Sequence, residues 1–487
     1  MKPALTLLPL VVALGLSACS MTPTYQRPTG AVPGQFNEAS GAAAAAPAAS
    51  AATAAAPAPW ASYFPDERLK KLIQLSLDSN RDLRVAIKNV DQLRATYQVT
   101  DADRFPSLNG SLTGSRGPST VAPYKLTTLV TGGVTISAYE LDLFGRVRAL
   151  SEAAAARLLA SESNRQAVQI TLVSSVANGY YALWADRWQL ALANETLRTR
   201  QDSLKLQQLK FDSGVLNELD LRSAQSLVEA AKVTQAQSQR QWAQDLSALQ
   251  LLLGQPVPSD LLPPEVDAKV LVPAQGLKPG QPMTTVQLWP DLPEVPVGLS
   301  SDILLQRPDI VQSEQSLIAA NANVGAARAA RFPRIALTAS AGVASDSLDG
   351  LFRDGHNAWS VAPSVTVPLL DFGRAAANVD VAIAAKDMAV AQYDKAVQTA
   401  FKEVSDALVA RRTWVDQAQA QAAQAEAEAQ RLRLSTLRYD TGVASQLDLL
   451  DAQRAWFTAQ QSLISAQLSR QQAQISLYKA LGGGALN

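Results

Sequence analysis

The side chains best placed to act together are Leu447, Asp451 and Arg454. Spaced by four and three, they share one face of any helix that carries them, because residues three and four apart are neighbours on a helix surface. A carboxylate and a guanidinium on one face admit two readings. In an assembly of several chains, such charges latch neighbouring helices, or select cations where carboxylates converge. On a lone helix they form a solvated pair that contributes only about 0.2–0.5 kcal/mol. Asp220 and Asp448 are set differently. Asn217 and Ser445 precede them by three residues, so each Asp falls at the third position of a helix capped by Asn or Ser, where a negative side chain favours the helix dipole. Their role is structural, and so is that of Gly214 and Gly442, whose backbone freedom breaks a helix just upstream.

Catalytic chemistry finds little material. His356 is the sole histidine and Cys19 the sole cysteine, which leaves no Cys/His zinc site. His356 falls between two strand-like runs, in an expected external loop, so no Ser-His-Asp or Cys-His set is in view. No phosphate-binding GxxxxGK[ST] loop occurs. The reading is of a protein that is not an enzyme and holds neither metal nor cofactor. Lys plus Arg and Asp plus Glu both number 43, giving zero net charge and a pI near 6.7. That balance offers no basic surface for nucleic acid.

The N-terminus points to export. Lys2 precedes an apolar run at residues 5–16, too short for a membrane-spanning helix of roughly 20 residues and suited to a signal peptide over residues 1–18. The run ends in Leu16-Ser17-Ala18-Cys19, which resembles the lipobox of bacterial lipoproteins. A free cysteine behind an ordinary signal peptide is the alternative. The lipobox resemblance implies diacylglycerol and an N-acyl chain such as palmitate on Cys19, and Ser20 in place of Asp then points to the outer membrane. Residues 19–65 include a stretch at 41–59 of almost only Ala, Pro, Ser and Thr, which cannot build a core and reads as a tether. Beyond the leader no run of 18 apolar residues remains, so further membrane contact must come from the lipid or from a β-barrel.

The chain is also a duplication. Residues 209–225 (LKFDSGVLNELDLRSAQ) recur at 437–453 (LRYDTGVASQLDLLDAQ), an offset of 228. The same offset carries Phe144-Gly145-Arg146 onto Phe372-Gly373-Arg374 and Leu253-Gly254 onto Leu481-Gly482. At 227, Arg104-Phe105-Pro106 falls on Arg331-Phe332-Pro333. The copies occupy residues 66–254 and 301–487. The joint at 255–300 holds ten prolines, too many for helix or central strand.

Within each copy the element order is legible. Residues 66–104 and 301–331 are helical in pattern, each closed by Arg-Phe-Pro. Two alternating runs follow in each copy and predict strands. Val130, Val134, Ile136 and Ala138 face one way, with Thr131, Thr135, Ser137 and Tyr139 facing the other, and Pro363 weakens the fourth strand. After the Phe-Gly-Arg turns, Arg374–Thr441 runs 68 residues without Gly or Pro, a helix of ~100 Å at 1.5 Å per residue. Val397, Phe401, Val404, Leu408 and Val415 mark a coiled-coil seam on it. Val215–Leu253 and Val443–Leu481 are long helices of 39 residues each. Four strands cannot close a membrane barrel, which begins at about eight, so several chains must contribute.

The duplicated pattern, the Tyr-Asp-Thr-Gly-Val…Leu-Asp-Leu-Leu-Asp-Ala-Gln-Arg segment at 439–454 and the closing Leu477-Tyr478-Lys479-Ala480-Leu481-Gly482-Gly483-Gly484 run resemble the TolC-like outer membrane factors. Within them the chain is similar to the lipoprotein branch serving drug-efflux pumps of the resistance-nodulation-division class. The resemblance covers residues 60–487 and implies a mainly α chain with a membrane β-barrel: a homotrimer with four strands per chain in a 12-stranded barrel, continued by a periplasmic α-barrel. It implies a periplasmic adaptor (membrane fusion) protein and an inner-membrane transporter as partners. It also implies a constriction at the periplasmic end made by Leu447, Asp451 and Arg454. The first copy has Leu219, Ser223 and Ser226 there, so charge occurs only in the second. Two readings of other classes stand beside this duct: a coiled-coil scaffold lipoprotein without a channel, and a lipid-anchored hydrolase. Among ducts, drug efflux, metal efflux and type I secretion remain open.

Overall fold

The computed structural model describes residues 20–29, 32–33, 36, 58–118, 120, 122–267, 288–293, 300–353 and 356–484. Cys19, the signal peptide and most of the tether lie outside them. In chain order the elements are α1 (Trp60–Tyr63), α2 (Glu67–Ser79), α3 (Arg81–Ala102), β1 (Leu108–Pro118), β2 (Leu126–Glu140), α4 (Arg146–Asp212), α5 (Glu218–Leu253), α6 (Pro308–Ala329), β3 (Arg334–Ser345), β4 (His356–Thr366), α7 (Arg374–Asp440) and α8 (Gln446–Ala480). The chain is mainly α, with one four-stranded sheet, and α4 and α7 are 67 residues each. Among the described residues no helix is long and apolar enough to cross a membrane.

The chain divides into two compact units: Met1–Ala31, Ile87–Asn164 and Asp309–Ala396 form the first, and Val32–Ala86, Arg165–Pro308 and Val397–Asn487 the second. The first unit holds the sheet, antiparallel throughout in the order β1-β2-β3-β4. Leu108 stands opposite Ile136, Ile136 opposite Ala339, and Ala339 opposite Val361. Gly110, Val134, Ala341 and Trp359 form the neighbouring row. These rows make one apolar face, because residues directly opposite in an antiparallel pair share a side. The other face carries hydroxyl pairs, Thr113 with Thr131 at 2.6 Å and Ser340 with Ser360 at 2.8 Å. On the helical side of this unit, Ala153 and Ala156 of α4 meet Ala319 and Ala322 of α6.

The second unit is built around aromatic side chains. Tyr180, Tyr181, Trp184 and Trp188 of α4 pack with Tyr63, Phe64, Leu69, Leu72 and Ile73 and with Leu249 and Leu253 of α5. Tyr63 stacks on Tyr478 at 4.2 Å, and the Tyr180 hydroxyl donates to Asp66 at 2.8 Å. The final glycines fold back on this core. Gly482, Gly483 and Gly484 all have left-handed φ (91°, 65° and 78°), and a Cβ on Gly483 would lie 2.7 Å from Ile170. Arg307 closes the same corner, donating to the Ala480 carbonyl at 2.6 Å and pairing with Glu403 at 2.7 Å.

Three local expectations need correction. The helix over 66–104 breaks at Asn80. Its Oδ1 accepts from Leu83 N–H at 2.9 Å and its amide donates to the Leu252 carbonyl at 2.9 Å, so one Asn starts α3 and satisfies the end of α5. The alternation in β2 also fails past Ile136. A bulge intervenes, Ala138 takes φ 48°, and Tyr139 pairs with Leu337. The extra residue turns Tyr139 to the side of Ile136 rather than that of Thr135. Finally, His356 is not in a loop. It opens β4 opposite Ala344, since ladder bonds are made by the backbone whatever the side chain. Pro363 is accommodated within β4, at an edge of this sheet.

Candidate functional site

The candidate residues lie at the turns of two helical hairpins, α4–α5 and α7–α8. Both turns are set by backbone. Gly214 and Gly442 have φ 75° and 77°, left-handed values that a side chain disfavours. In each turn a valine N–H reaches back to a basic residue's carbonyl, Val215 to Lys210 at 2.9 Å and Val443 to Arg438 at 2.8 Å. The helices then restart on caps. Asn217 Oδ1 accepts from Asp220 N–H at 2.9 Å. Ser445 forms a full capping box with Asp448: its hydroxyl accepts from Asp448 N–H at 3.2 Å, and Asp448 accepts from Ser445 N–H at 3.0 Å. Those hydrogen bonds hold the Asp448 carboxyl below the usual carboxylate range. Leu219 and Leu447 stand exposed in the first turn of each helix.

Asp451 and Arg454 are both exposed on α8, yet their nearest charges differ. Asp451 pairs with Arg431 of α7 at 2.5 Å, and Arg431 also reaches Glu428 at 3.3 Å. This ion pair therefore bridges the two helices of the hairpin, whereas the spacing of Asp451 and Arg454 suggests a pair along one helix. Arg431 was not singled out by sequence, although a signal existed: it lies eleven residues before Gly442 and Asp451 nine after it, so a tight hairpin sets them side by side. Arg454 faces like charge. Arg200 of α4, held below its ordinary pKa by burial and then by the Arg454 charge, donates to the Leu227 carbonyl at 3.2 Å. Between the turns, Lys210 donates to the Tyr439 hydroxyl at 3.2 Å and lies 5.3 Å from its ring centre.

The first unit offers a second cluster, where strands give way to helices. Glu140 accepts two bonds from Arg146 at 2.8 and 2.7 Å and a third from Arg334 at 2.6 Å. Phe144 stacks on Phe332 at 4.9 Å beside it. The segment following Cys19 is tied down in this unit too. Thr22 lies against Gly325 of α6, Asn321 donates to the Pro23 carbonyl at 2.7 Å, and Arg27 grips Glu314 with two bonds at 2.7 and 2.8 Å. Followed backwards, residues 27 to 22 thus run along α6 towards β3. Among the described residues no group of three or more His, Cys, Asp or Glu could hold a metal ion.

An antiparallel four-stranded sheet with one apolar face and two long helical hairpins, in a duplicated chain, are the marks of a class of outer-membrane export proteins. The chain belongs to the outer membrane efflux protein family, whose model matches residues 72–255 and 299–483. It is 42% identical over 482 residues to the toluene efflux pump outer membrane protein TtgI of Pseudomonas putida, covering 98% of each chain. It is 38% identical over 486 residues to the cation efflux system protein CusC of Escherichia coli O157:H7, again with 98% of each chain covered. Among solved structures, the open state of the Neisseria gonorrhoeae MtrE outer membrane channel is 36% identical, with a TM-score of 0.82 over 96% of this chain and 98% of that one.

Proposed function

We propose that this protein is the outer-membrane exit duct of an efflux pump, conducting cargo passively to the exterior through a barrel to which each of three copies adds four strands. The observation that carries the reading is the open sheet. β1 and β4 leave unpaired backbone edges flanking an apolar face, and in hydrocarbon such edges must be closed by further strands. Energy comes from an inner-membrane transporter of the resistance-nodulation-division class, reached through a periplasmic adaptor. One relative is named for toluene and another for cations, which fits a duct whose cargo is chosen by its partners.

Two finer assignments belong to this reading. The first is lipidation of Cys19. Thr22 sits against Gly325, near the end of α6 that precedes β3, so the chain leading back to Cys19 heads towards the strands and a lipid there would reach the membrane they occupy. The second is a gate at the α7–α8 turn, where Leu447, Asp451 and Arg454 line the periplasmic constriction. The Arg431–Asp451 pair tethers α8 to α7, and the like charge of Arg200 beside Arg454 favours movement of α8 away from α4 once that tether is cut. The deciding experiment is single-channel conductance in a planar bilayer, wild type beside Asp451→Ala/Arg454→Ala and Arg431→Ala. A small wild-type conductance that rises several-fold in the variants supports duct and gate together. Equal conductance reduces the charges to surface residues, and correct insertion without conductance overturns the duct.

A further inference from the structure

His356 shares a row with the hydroxyls of the sheet. Across the ladders, Thr113 stands opposite Thr131, Thr131 opposite Ala344, and Ala344 opposite His356. Residues directly opposite in an antiparallel pair project to the same side, so the imidazole lies on the hydroxyl face and not on the apolar one. The next rows towards the helices are Ser111, Gly133, Gly342 and Ala358, then Asn109, Thr135, Ser340 and Ser360. That face is also the hollow one: a depression of about 430 Å³ has Ser111, Thr113, Thr131, Thr135, Ser340 and Ser360 in its lining. The opposite face presents Leu108, Leu112, Trp359, Val361 and Val365, all more than half exposed. In a barrel that turns its apolar side to lipid, the hydroxyl side lines the passage.

Charge is scarce on that lining. Apart from His356, the three rows contain only Ser, Thr, Asn, Ala and Gly. At the helix end Glu140, opposite Ala336, and Arg334 project to the same side, but they are bonded to each other at 2.6 Å and Arg146 completes the cluster. Arg116 lies opposite Thr128, on the apolar side. The strand connections at the far end carry Lys125, Asp346, Asp349, Arg353 and Asp354, of which Asp349 and Arg353 pair at 3.4 Å. On the imidazole's own side, β3 brings Ala344 and Gly342, and β4 brings Ala358. Among the described residues of the lining, His356 is the one side chain of a type that ordinarily changes charge between pH 5 and 8.

We propose that His356 sets the ion selectivity of the duct: uncharged, it leaves the far end of the passage neutral, and protonated, it makes that end favour anions over cations. The proposal rests on the reading of the protein as a conducting duct, and adds a residue that discriminates by charge. Each copy brings one imidazole to the same level, so the assembled barrel carries a ring of positive charge in acid. Rings of charged side chains select ions by their field. A unit charge about 8 Å from an ion in water changes its local concentration about twofold, anion and cation in opposite senses. Salt shortens that reach, so the effect is largest in dilute electrolyte. Anionic cargo then leaves faster in acid than at neutral pH, and cationic cargo more slowly.

The test is the reversal potential of the full-length protein in a planar bilayer, across a dilute KCl gradient, at pH 8 and at pH 5. The anion-to-cation permeability ratio of wild type is expected to rise about twofold in acid. His356→Asn should keep the pH 8 ratio at both values, and His356→Lys the acid ratio at both. A wild-type ratio that ignores pH overturns the proposal. So does a shift that survives in His356→Asn, which would belong to the carboxylates of the strand connections. Both outcomes leave the duct standing, because current still flows. An inserted protein that passes no current overturns the duct and this proposal with it. A second measurement checks the face. His356→Cys and Asn357→Cys lie on opposite sides of β4, Asn357 being opposite Val343 in the apolar rows. Thiol reagents bearing a sulfonate or an ammonium are added from the exterior, with wild type, whose sole cysteine is Cys19, as the blank. The two reagents should move the ratio in opposite directions at His356→Cys and leave it unmoved at Asn357→Cys. Equal responses at the two positions would take His356 off the lining and overturn its role.

Discussion

The α4–α5 and α7–α8 hairpins descend from one ancestral turn, and what each has kept separates architecture from function. Glycine at φ 75° and 77°, the valine N–H reaching back to a basic residue's carbonyl, and an Asn or Ser cap three residues before an Asp recur in both. These features solve local problems of backbone geometry and orphan amides, which any such turn must meet. Charge behaves oppositely. Arg431 and Asp451 pair across the second hairpin, while their counterparts Ser203 and Ser223 give the first hairpin no such bridge. The first hairpin instead joins α4 to α5 through two carboxyls, Asp186 and Asp245, where the second has Trp414 and Ala473. The turns are thus one device, and the hairpins that carry them are two.

The largest expected effect comes from erasing that difference. Arg431→Ser/Asp451→Ser makes the second hairpin resemble the first, and bilayer conductance is expected to rise several-fold. The reverse exchange, Ser203→Arg/Ser223→Asp, adds a second bridge and should lower conductance below that of wild type. Unchanged conductance in both variants would mean that the asymmetry has no bearing on passage. The shared turn predicts the opposite pattern. Gly214→Ala and Gly442→Ala each force a side chain into the left-handed region at about 1–2 kcal/mol. Because neither glycine has an atom within 4 Å of its Cβ position, the two should destabilise equally in thermal melts. Unequal losses would show that the turns are not the same device.

A difference in pH response is expected next. Burial, and then the neighbouring carboxyl of Asp245, push the Asp186 carboxyl up to about 7. A raised acid binds more protons folded than unfolded, so its stabilisation is complete below about 4 and is lost as pH rises through about 7. Wild type should therefore melt lower at pH 8 than at pH 5, and Asp186→Asn should reduce that difference. Trp414 and Ala473 bring no such group to the second hairpin, so Trp414→Phe should leave the pH dependence intact. A wild-type profile identical to that of Asp186→Asn would remove the shared proton from the account.

Much of this could be read from sequence because it is local. Period-two alternation, glycine at the turns and Asn or Ser before Asp each report on a few consecutive residues, and the 228-residue offset aligns them. What escaped depends on contacts between distant residues. The bulge past Ile136 exists because β2 must match β3, some 200 positions away. Asn80 breaks a helical pattern because the end of α5 needs its amide. Arg27 and Glu314 are ordinary charges until the N-terminal segment lies on α6. Arg431 is intermediate, since the hairpin pairs it with Asp451 once the turn is taken as tight.

The smallest expected effect lies in the caps, where the two turns agree in kind and differ in degree. Asn217 satisfies one orphan amide, that of Asp220. Ser445 does the same for Asp448 and receives a return bond from its carboxylate. Removing either cap should cost about 1 kcal/mol, with Ser445→Ala the larger because it also releases Asp448. Amide exchange in the first turn of α5 and of α8 measures this directly, the α8 amides being the more accelerated. Asp448 adds a pH signature through that return bond. Its carboxyl is held below the ordinary value, so its contribution is present above the unfolded carboxylate range and disappears as pH falls through the lowered one. Exchange at the start of α8 should therefore quicken in acid relative to α5, after correction for the intrinsic rate. Parallel behaviour of the two helices would reduce the capping box to a single hydrogen bond.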